Sequence, residues 1–138
     1  MDEILYYSVA HYFDVSSERI NNKYKNIDNH INQFLNIENI KKEFILISAI
    51  DKPPGDIYYK NVKEELLNYC KQKIDKYQVH IITYYNWGGT IAALWECYKY
   101  LNNISKNGFV AHFEEDFGPI NNKWYSSSKK LLKEESII

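Results

Sequence analysis

Four short apolar runs alternate with three stretches of helical periodicity along the chain. The apolar runs cover residues 4–10, 44–50, 79–84 and 109–113, and each has the length and composition of one strand. Between them, apolar residues recur three and four positions apart, as on one face of a helix. The residues that define the three helical stripes are Ile20, Tyr24, Ile27, Ile31 and Phe34; Val62, Leu66, Tyr69 and Lys73, flanked by the apolar Leu67, Cys70 and Ile74; and Ile91, Leu94, Trp95, Tyr98 and Leu101. The predicted order is β-α-β-α-β-α-β.

Capping and turn residues mark the ends of these elements. Asp14 and the serine pair Ser16-Ser17 supply capping side chains before the first helix, which we expect to end near Leu35 or Asn36. Residues 51–56 contain two prolines and a glycine and predict a loop after the second strand. Residues 86–90, Asn-Trp-Gly-Gly-Thr, predict a loop that opens the third helix.

Each connection between consecutive strands is long enough to hold a helix, which favours a parallel sheet with helices on both faces. We therefore predict one three-layer α/β/α domain over residues 1–138. We assume a strand order of 3-2-1-4, in which the winding of the chain reverses between the first and fourth strands. Ligands of such sheets bind beyond the carboxyl ends of the strands, at that reversal.

Charge, hydropathy and cysteine usage narrow the classes of function. The chain has 17 basic and 18 acidic residues and a net charge of −1, so we expect no nucleic-acid partner. It has no charged-then-apolar leader and no apolar run of about 20 residues, so we expect a cytoplasmic protein without a membrane span. Cys70 and Cys97 lie at apolar positions without metal-ligand spacing, which predicts reduced core thiols.

Polar residues follow every predicted strand at the expected ligand-binding edge. One such residue more often caps a helix or forms a turn, but polar groups at four strand ends favour a nucleotide-type ligand with a metal. The candidate site residues are His11, Asp51, Asn86, Gly88, Gly89, Glu114, Glu115 and Asp116.

Three consecutive carboxylates after the fourth strand are the most informative of these residues. Crowded negative charge destabilises a fold unless a cation neutralises it, and Mg²⁺ and Mn²⁺ prefer carboxylate oxygens. The alternative is a solvated loop after an edge strand. Gly88 and Gly89 equally suit a tight turn or close approach to a phosphate. Asp51 equally suits a turn ahead of the two prolines.

On these residues the chain resembles the donor-binding half of GT-A fold glycosyltransferases, with their Rossmann-like sheet, and especially the family-2-like enzymes. The resemblance covers most of the chain. It rests on the order of strands and helices, on residues 86–89 with the alanine-bearing helix after them, and on the acidic end of the fourth strand. Glu114-Glu115-Asp116 is similar to the DXD motif of that family, with glutamate in place of the usual first aspartate.

The resemblance implies binding of a nucleotide sugar, with UDP as the favoured nucleotide, and transfer of the sugar to a glycan or protein acceptor. Asp116 would coordinate Mn²⁺ or Mg²⁺ and the diphosphate, and Glu114 would contact the ribose or the ion. Asp51 would accept a hydrogen bond from the uracil ring. Asn86 and the adjacent glycines would lie near the base or the pyrophosphate, and the loop around His11 would cover the nucleoside.

In the resembling family a second half supplies the acceptor site and the catalytic base. Residues after Asp116 leave room for one loop and a short helix. We therefore expect the acceptor half to be absent, with the site completed by a second copy or a partner chain, or the chain to be a piece of a longer enzyme. The alternative is a non-catalytic nucleotide- or metal-binding α/β domain that acts through a partner protein.

The four histidines differ in their expected environments. His80 and His112 lie inside strand patterns, and we expect them to be hydrogen-bonded core or sheet-face residues. His30 lies on the polar face of the first helix, where we expect it to be solvated. His11 alone falls at the ligand edge, and one imidazole supports no acid-base scheme by itself.

Overall fold

The structure is a computed structural model that describes residues 3–13, 24–51, 56–104 and 108–115. The residues proposed to cap the first helix, Asp14, Ser16 and Ser17, lie outside these ranges. The described elements follow the predicted order. They are β1 (Ile4–Tyr12), α1 (Lys25–Leu35), β2 (Lys41–Ile50), α2 (Asp56–Lys73), β3 (Val79–Tyr85), α3 (Gly89–Ile104) and β4 (Gly108–Glu114).

The four strands form one parallel sheet in the order β3-β2-β1-β4, which confirms the assumed 3-2-1-4 arrangement. In the register of the sheet, Tyr12 lies beside Ala49 and Ala10 lies beside Glu114. All four carboxyl ends therefore lie at one edge. The winding reverses between β1 and β4, because the first two connections progress in one direction and the third returns past β1.

The general rule that parallel strands are joined by right-handed connections accounts for which helix covers which face of the sheet. The connections through α1 and α2 run in the same direction across the sheet, so both helices lie on one face. The connection through α3 runs back, so this helix lies on the other face. The buried residues accordingly separate into two clusters, one for each face, and the predicted three layers are confirmed.

On the first face, side chains from alternate positions of each strand pack against α1 and α2. Leu5, Tyr7 and Val9 of β1 contribute to this cluster, in which Phe34 of α1 and Phe44 of β2 are fully buried. The predicted stripe of α1 is confirmed for its buried members, which are Ile27, Ile31 and Phe34. The buried residues of α2 are Val62, Leu66 and Cys70.

Lys42 stabilises the end of α1. Its side chain is buried, and Nζ donates hydrogen bonds to the carbonyls of Phe34 at 2.7 Å and Ile37 at 2.5 Å. Helix C-termini carry carbonyls without intrahelical partners, and a cation there satisfies them and interacts favourably with the helix dipole. The helix ends at Leu35, as predicted.

On the second face, α3 packs with a different stripe from the one the sequence predicts. Its buried side chains are the small residues Ala92, Ala93 and Cys97. Small residues allow close approach of the helix to the sheet, and the large residues point away from it. The predicted stripe is therefore wrong for its exposed members, which are Ile91 (74% exposed), Leu94 (52%), Trp95 (50%) and Tyr98 (59%).

Both cysteines, Cys70 and Cys97, are buried free thiols, as predicted. Burial raises the pKa of Cys70 to about 12, with a smaller contribution from the charge of Asp28, and this keeps the thiol protonated. None of the helices within the described ranges is both long enough and apolar enough to cross a membrane.

Candidate functional site

The carboxyl edge of the sheet gathers all but one of the candidate residues. The strands end there at Tyr12, Ile50, Tyr85 and Glu114. Asp116, the third carboxylate of the acidic run, lies outside the described residues. The candidates found at or directly after the strand ends are His11, Asp51, Asn86, Gly88, Gly89, Glu114 and Glu115.

His11 and Glu115 meet where the winding of the sheet reverses. The Glu115 carboxylate oxygen Oε2 lies 4.0 Å from His11 Nε2 and accepts a hydrogen bond from the Tyr12 backbone N–H at 3.4 Å. His11 is only 2% exposed, and its Nδ1 lies 3.1 Å from the hydroxyl of Ser48 on β2. The ends of β1, β2 and β4 thus bring an imidazole, a hydroxyl and a carboxylate together.

Asp51 and Asn86 form a second group along the same edge. The Asn86 amide Nδ2 donates to Asp51 Oδ1 at 3.1 Å, and Asn86 Oδ1 accepts from the Gly89 backbone N–H at 3.3 Å. The latter bond satisfies one of the free N–H groups at the start of α3. Asn86 therefore has a capping role in addition to any ligand contact, and Asp51 is held at the edge with its side chain exposed.

The two adjacent glycines meet different requirements. Gly89 has φ of +58°, a left-handed conformation that strains residues with a Cβ, so the turn by itself explains this glycine. A Cβ added at Gly88 would meet Ala92 at ordinary contact distances, 3.4 Å from its methyl and 3.8 Å from its backbone nitrogen. The positive φ of the loop therefore requires glycine at position 89. The loop conformation does not require glycine at position 88.

Glu114 and Glu115 are adjacent but belong to opposite faces of the sheet. Glu115 approaches His11, which shares the first face with Ser48. Glu114 follows the alternation of β4 toward the α3 face, where its charge acts on Tyr84 and His112. Burial is the main reason that the pKa of Tyr84 rises to about 12, and Glu114 adds to it. Alternation of side chains in a strand separates these two carboxylates.

A divalent metal needs several oxygen ligands that converge on one point. Among residues 3–13, 24–51, 56–104 and 108–115, no three His, Cys, Asp or Glu side chains are placed to hold a metal ion together. Glu114 and Glu115 diverge, so within these ranges each offers a single carboxylate. The metal site proposed at Glu114 and Asp116 depends on a residue outside the described part and stays a prediction.

His30 contacts the acidic end of β4, a contact that sequence reasoning did not predict. The prediction that it is solvated is wrong, because the residue is 2% exposed and its side chain extends from α1 to contact β1 and β4. Its Nδ1 lies 2.7 Å from the Tyr7 hydroxyl, and its Nε2 lies 2.9 Å from the carbonyl oxygen of Glu114. The signal was present in the spacing, since Ile27, His30, Ile31 and Phe34 follow the i, i+3, i+4, i+7 pattern of one helix face.

The other two histidines have structural hydrogen bonds. His80 is buried near the amino end of β3, with Nε2 2.7 Å from Glu43 Oε1 and Nδ1 2.6 Å from the Tyr100 hydroxyl, as expected for a core histidine. His112 Nδ1 lies 2.8 Å from Ser8 Oγ. Ser8 is fully buried, so this Ser–His pair presents no nucleophile to solvent.

The strand order and the polar strand ends are the features on which the glycosyltransferase resemblance depends. The order is present in the structure, and the acidic end of β4 lies beside the reversal of the sheet. Searches of known protein families, of curated proteins and of solved structures return no match to this chain.

Proposed function

We propose that this domain binds a nucleotide sugar at the carboxyl edge of its sheet and forms the donor-binding part of a glycosyltransferase of the cytoplasm. UDP is the favoured nucleotide, and a glycan or protein is the acceptor. One observation supports the proposal most directly: Glu115 and His11 meet beside the reversal between β1 and β4. Open α/β sheets bind their ligands at that position.

The groups at this edge suit the parts of a nucleoside diphosphate. A carboxylate such as that of Glu115 accepts hydrogen bonds from ribose hydroxyls, and the imidazole of His11 donates to phosphate oxygens or packs against the nucleoside. The exposed carboxylate of Asp51, oriented by the amide of Asn86, accepts a hydrogen bond from the uracil N3–H.

Glu114 and Asp116 are the residues that would hold Mn²⁺ or Mg²⁺. A bound divalent ion neutralises negative charge that builds on the departing diphosphate. The catalytic base that takes the proton from the acceptor hydroxyl has no candidate among the described residues. A second copy, a partner chain or a further part of the enzyme would supply it.

Calorimetric titration with UDP, with and without Mn²⁺, tests this proposal. We expect binding that depends on the metal and that Asp116→Ala abolishes. Glu64→Ala is the matched control, because Glu64 is an exposed carboxylate on α2, away from the strand ends. Absence of binding to UDP and to other nucleoside diphosphates, or equal loss in both variants, would refute the donor-site assignment.

A second candidate function is binding without turnover, through a partner protein. The exposed apolar surface of α3 favours it, and this surface consists of Ile91, Leu94, Trp95 and Tyr98. Their spacing suits packing against another helix. Glu96 and Lys99 are the only charged residues of α3, so two copies of this surface would meet without net repulsion. The partner protein proposed for this surface is therefore a second copy of the chain.

Sedimentation velocity distinguishes these outcomes. A dimer that Trp95→Glu dissociates and that Asn102→Glu leaves intact would support self-association through α3, because both positions are exposed on that helix. A wild-type chain that stays monomeric at high concentration would refute it. Hydrolysis of a UDP-sugar by the chain then separates catalysis from binding alone.

A further inference from the structure

His30 connects α1 to the point where β4 ends. The residue is almost completely buried, and its two ring nitrogens face different strands. On the β1 side, Nδ1 lies 2.7 Å from the Tyr7 hydroxyl. On the β4 side, Nε2 lies 2.9 Å from the Glu114 carbonyl oxygen and 3.2 Å from the Glu115 carbonyl oxygen.

The partners determine which nitrogen carries the proton. A carbonyl oxygen only accepts hydrogen bonds, so Nε2 must be the N–H that donates to Glu114 and Glu115. In the neutral imidazole Nδ1 is then an acceptor, and the Tyr7 hydroxyl donates to it. Burial raises the pKa of Tyr7 and keeps this hydroxyl protonated. Both ring nitrogens of His30 therefore have hydrogen-bond partners: Nδ1 accepts from the Tyr7 hydroxyl, and Nε2–H donates to the β4 carbonyls.

Ring contacts fix the imidazole in this orientation. The ring of His30 lies 5.7 Å from that of Tyr7 and 5.9 Å from that of Phe113, measured between centroids. Tyr7 and Phe113 are themselves 4.9 Å apart. Phe113 directly precedes the acidic residues, so the aromatic contacts and the hydrogen bond hold the same short piece of β4.

The shared hydrogen bond also marks where β4 leaves the sheet. Successive carbonyls of an extended strand point in opposite directions, so one N–H reaches two of them only where the backbone turns. The Nε2–H group reaches the carbonyls of Glu114 and Glu115 together, and β4 ends at Glu114. The backbone therefore turns at Glu114 and Glu115, where the Nε2–H group of His30 on α1 donates to both carbonyls.

We propose that His30 is a positioning residue: it fixes the exit of the chain from β4 and thereby holds the Glu114 and Glu115 carboxylates at the ligand edge. The structural part of this inference concerns the free protein. Its consequence for ligand affinity rests on the proposed function, because it assumes that the acidic strand end contacts the nucleotide.

Two amide substitutions separate the two hydrogen bonds. The side-chain nitrogen of glutamine reaches about as far as Nε2 of histidine, so His30→Gln keeps a donor for the Glu114 carbonyl. The side chain of asparagine ends near the position of Nδ1, so His30→Asn keeps an acceptor for Tyr7 and leaves the β4 carbonyls without their donor. Ile31→Val is the control, since it weakens packing on the same buried face without removing a hydrogen bond.

Amide hydrogen exchange of the ligand-free protein, read by mass spectrometry on peptides covering residues 109–118, tests the positioning role. We expect His30→Asn to speed exchange at the end of β4 by about tenfold, the size of one lost buried hydrogen bond. His30→Gln should retain most of the wild-type protection against exchange at the end of β4. Ile31→Val should change exchange across α1 and β1 without a particular effect at this strand end.

Titration with UDP and Mn²⁺ provides the second measurement. If the wild-type chain binds, we expect His30→Asn to weaken binding by about tenfold and His30→Gln to weaken it much less. Should the wild-type chain bind no nucleotide, the proposed function fails and the exchange data alone decide the role of His30. Equal exchange at the end of β4 in the wild type and in His30→Asn would overturn the inference.

Discussion

Glu115 Oε2 lies 4.0 Å from His11 Nε2 and joins the ends of two strands that are far apart in the sequence. The same carboxylate accepts a hydrogen bond from the Tyr12 N–H, so Glu115 links the end of β4 to the end of β1. Because Glu115 bridges two strands at the candidate ligand edge, we expect its substitution to change the stability of the free protein.

Truncation of Glu115 is expected to destabilise the fold modestly. Glu115→Ala leaves the Tyr12 N–H without this acceptor and should lower the free energy of unfolding by about 1 kcal/mol. Glu115→Gln keeps an acceptor oxygen and should lose less than half of that. Urea unfolding of the three proteins measures the difference. Alanine and glutamine variants of equal stability would show that the bond to Tyr12 contributes nothing.

Asp51 is expected to select uracil. Asp51→Asn keeps an oxygen for the Asn86 amide but replaces the charged acceptor that we assign to the uracil N3–H. We predict about a tenfold loss of UDP affinity and a smaller loss for CDP, because cytosine presents an acceptor at N3 that the new amide can serve. Calorimetry with both nucleotides checks this prediction. Parallel losses for UDP and CDP would contradict a role in base recognition.

Gly108 is expected to tolerate no side chain. A Cβ added there would lie 2.5 Å from the Ile4 carbonyl oxygen and 2.5 Å from the ring of Tyr6, closer than such atoms approach. Gly108→Ala should therefore lower the free energy of unfolding by about 1–3 kcal/mol, as overpacked sites do. Gly88→Ala is the matched control, with its nearest contact at 3.4 Å and an expected change near zero. Thermal and urea unfolding give both values.

His112 is expected to make the fold less stable in acid. Burial lowers the pKa of His112 below its usual 6.5, and the charge of Glu114 partly opposes that shift. Below pH 6.5 the unfolded chain therefore takes up a proton that the folded chain resists, so stability falls with decreasing pH until the lower folded pKa is reached.

The variant His112→Asn isolates this effect. Its amide keeps a polar partner near Ser8 and does not titrate. From pH 7 to pH 5 the wild type should lose stability relative to the variant by up to about 1.4 kcal/mol per pH unit. Urea unfolding at several pH values measures both slopes. Identical slopes would show that His112 is protonated equally in the two states.

Local pattern determined the elements of this protein and the edge at which its polar residues lie. Apolar runs such as residues 44–50, which lie within β2, are long enough for a strand and too short for a buried helix, so their type follows from length and composition. The handedness of the connections then restricts the sheet to few arrangements, and the assumed order is present. His11, Asp51 and Asn86 fall at the carboxyl edge, the candidate ligand edge, because every strand of a parallel sheet ends there.

Tertiary packing decided which side chains of those elements are buried. In α3 both a large apolar stripe and a small one satisfy helical spacing, and the sequence does not show that close approach to the sheet favours Ala92, Ala93 and Cys97. The burial of His30 was also decided by tertiary packing, because a polar side chain is stable on a buried face when other elements provide hydrogen-bond partners for it. Tyr7 and the end of β4 provide those partners, and only the folded chain brings them together.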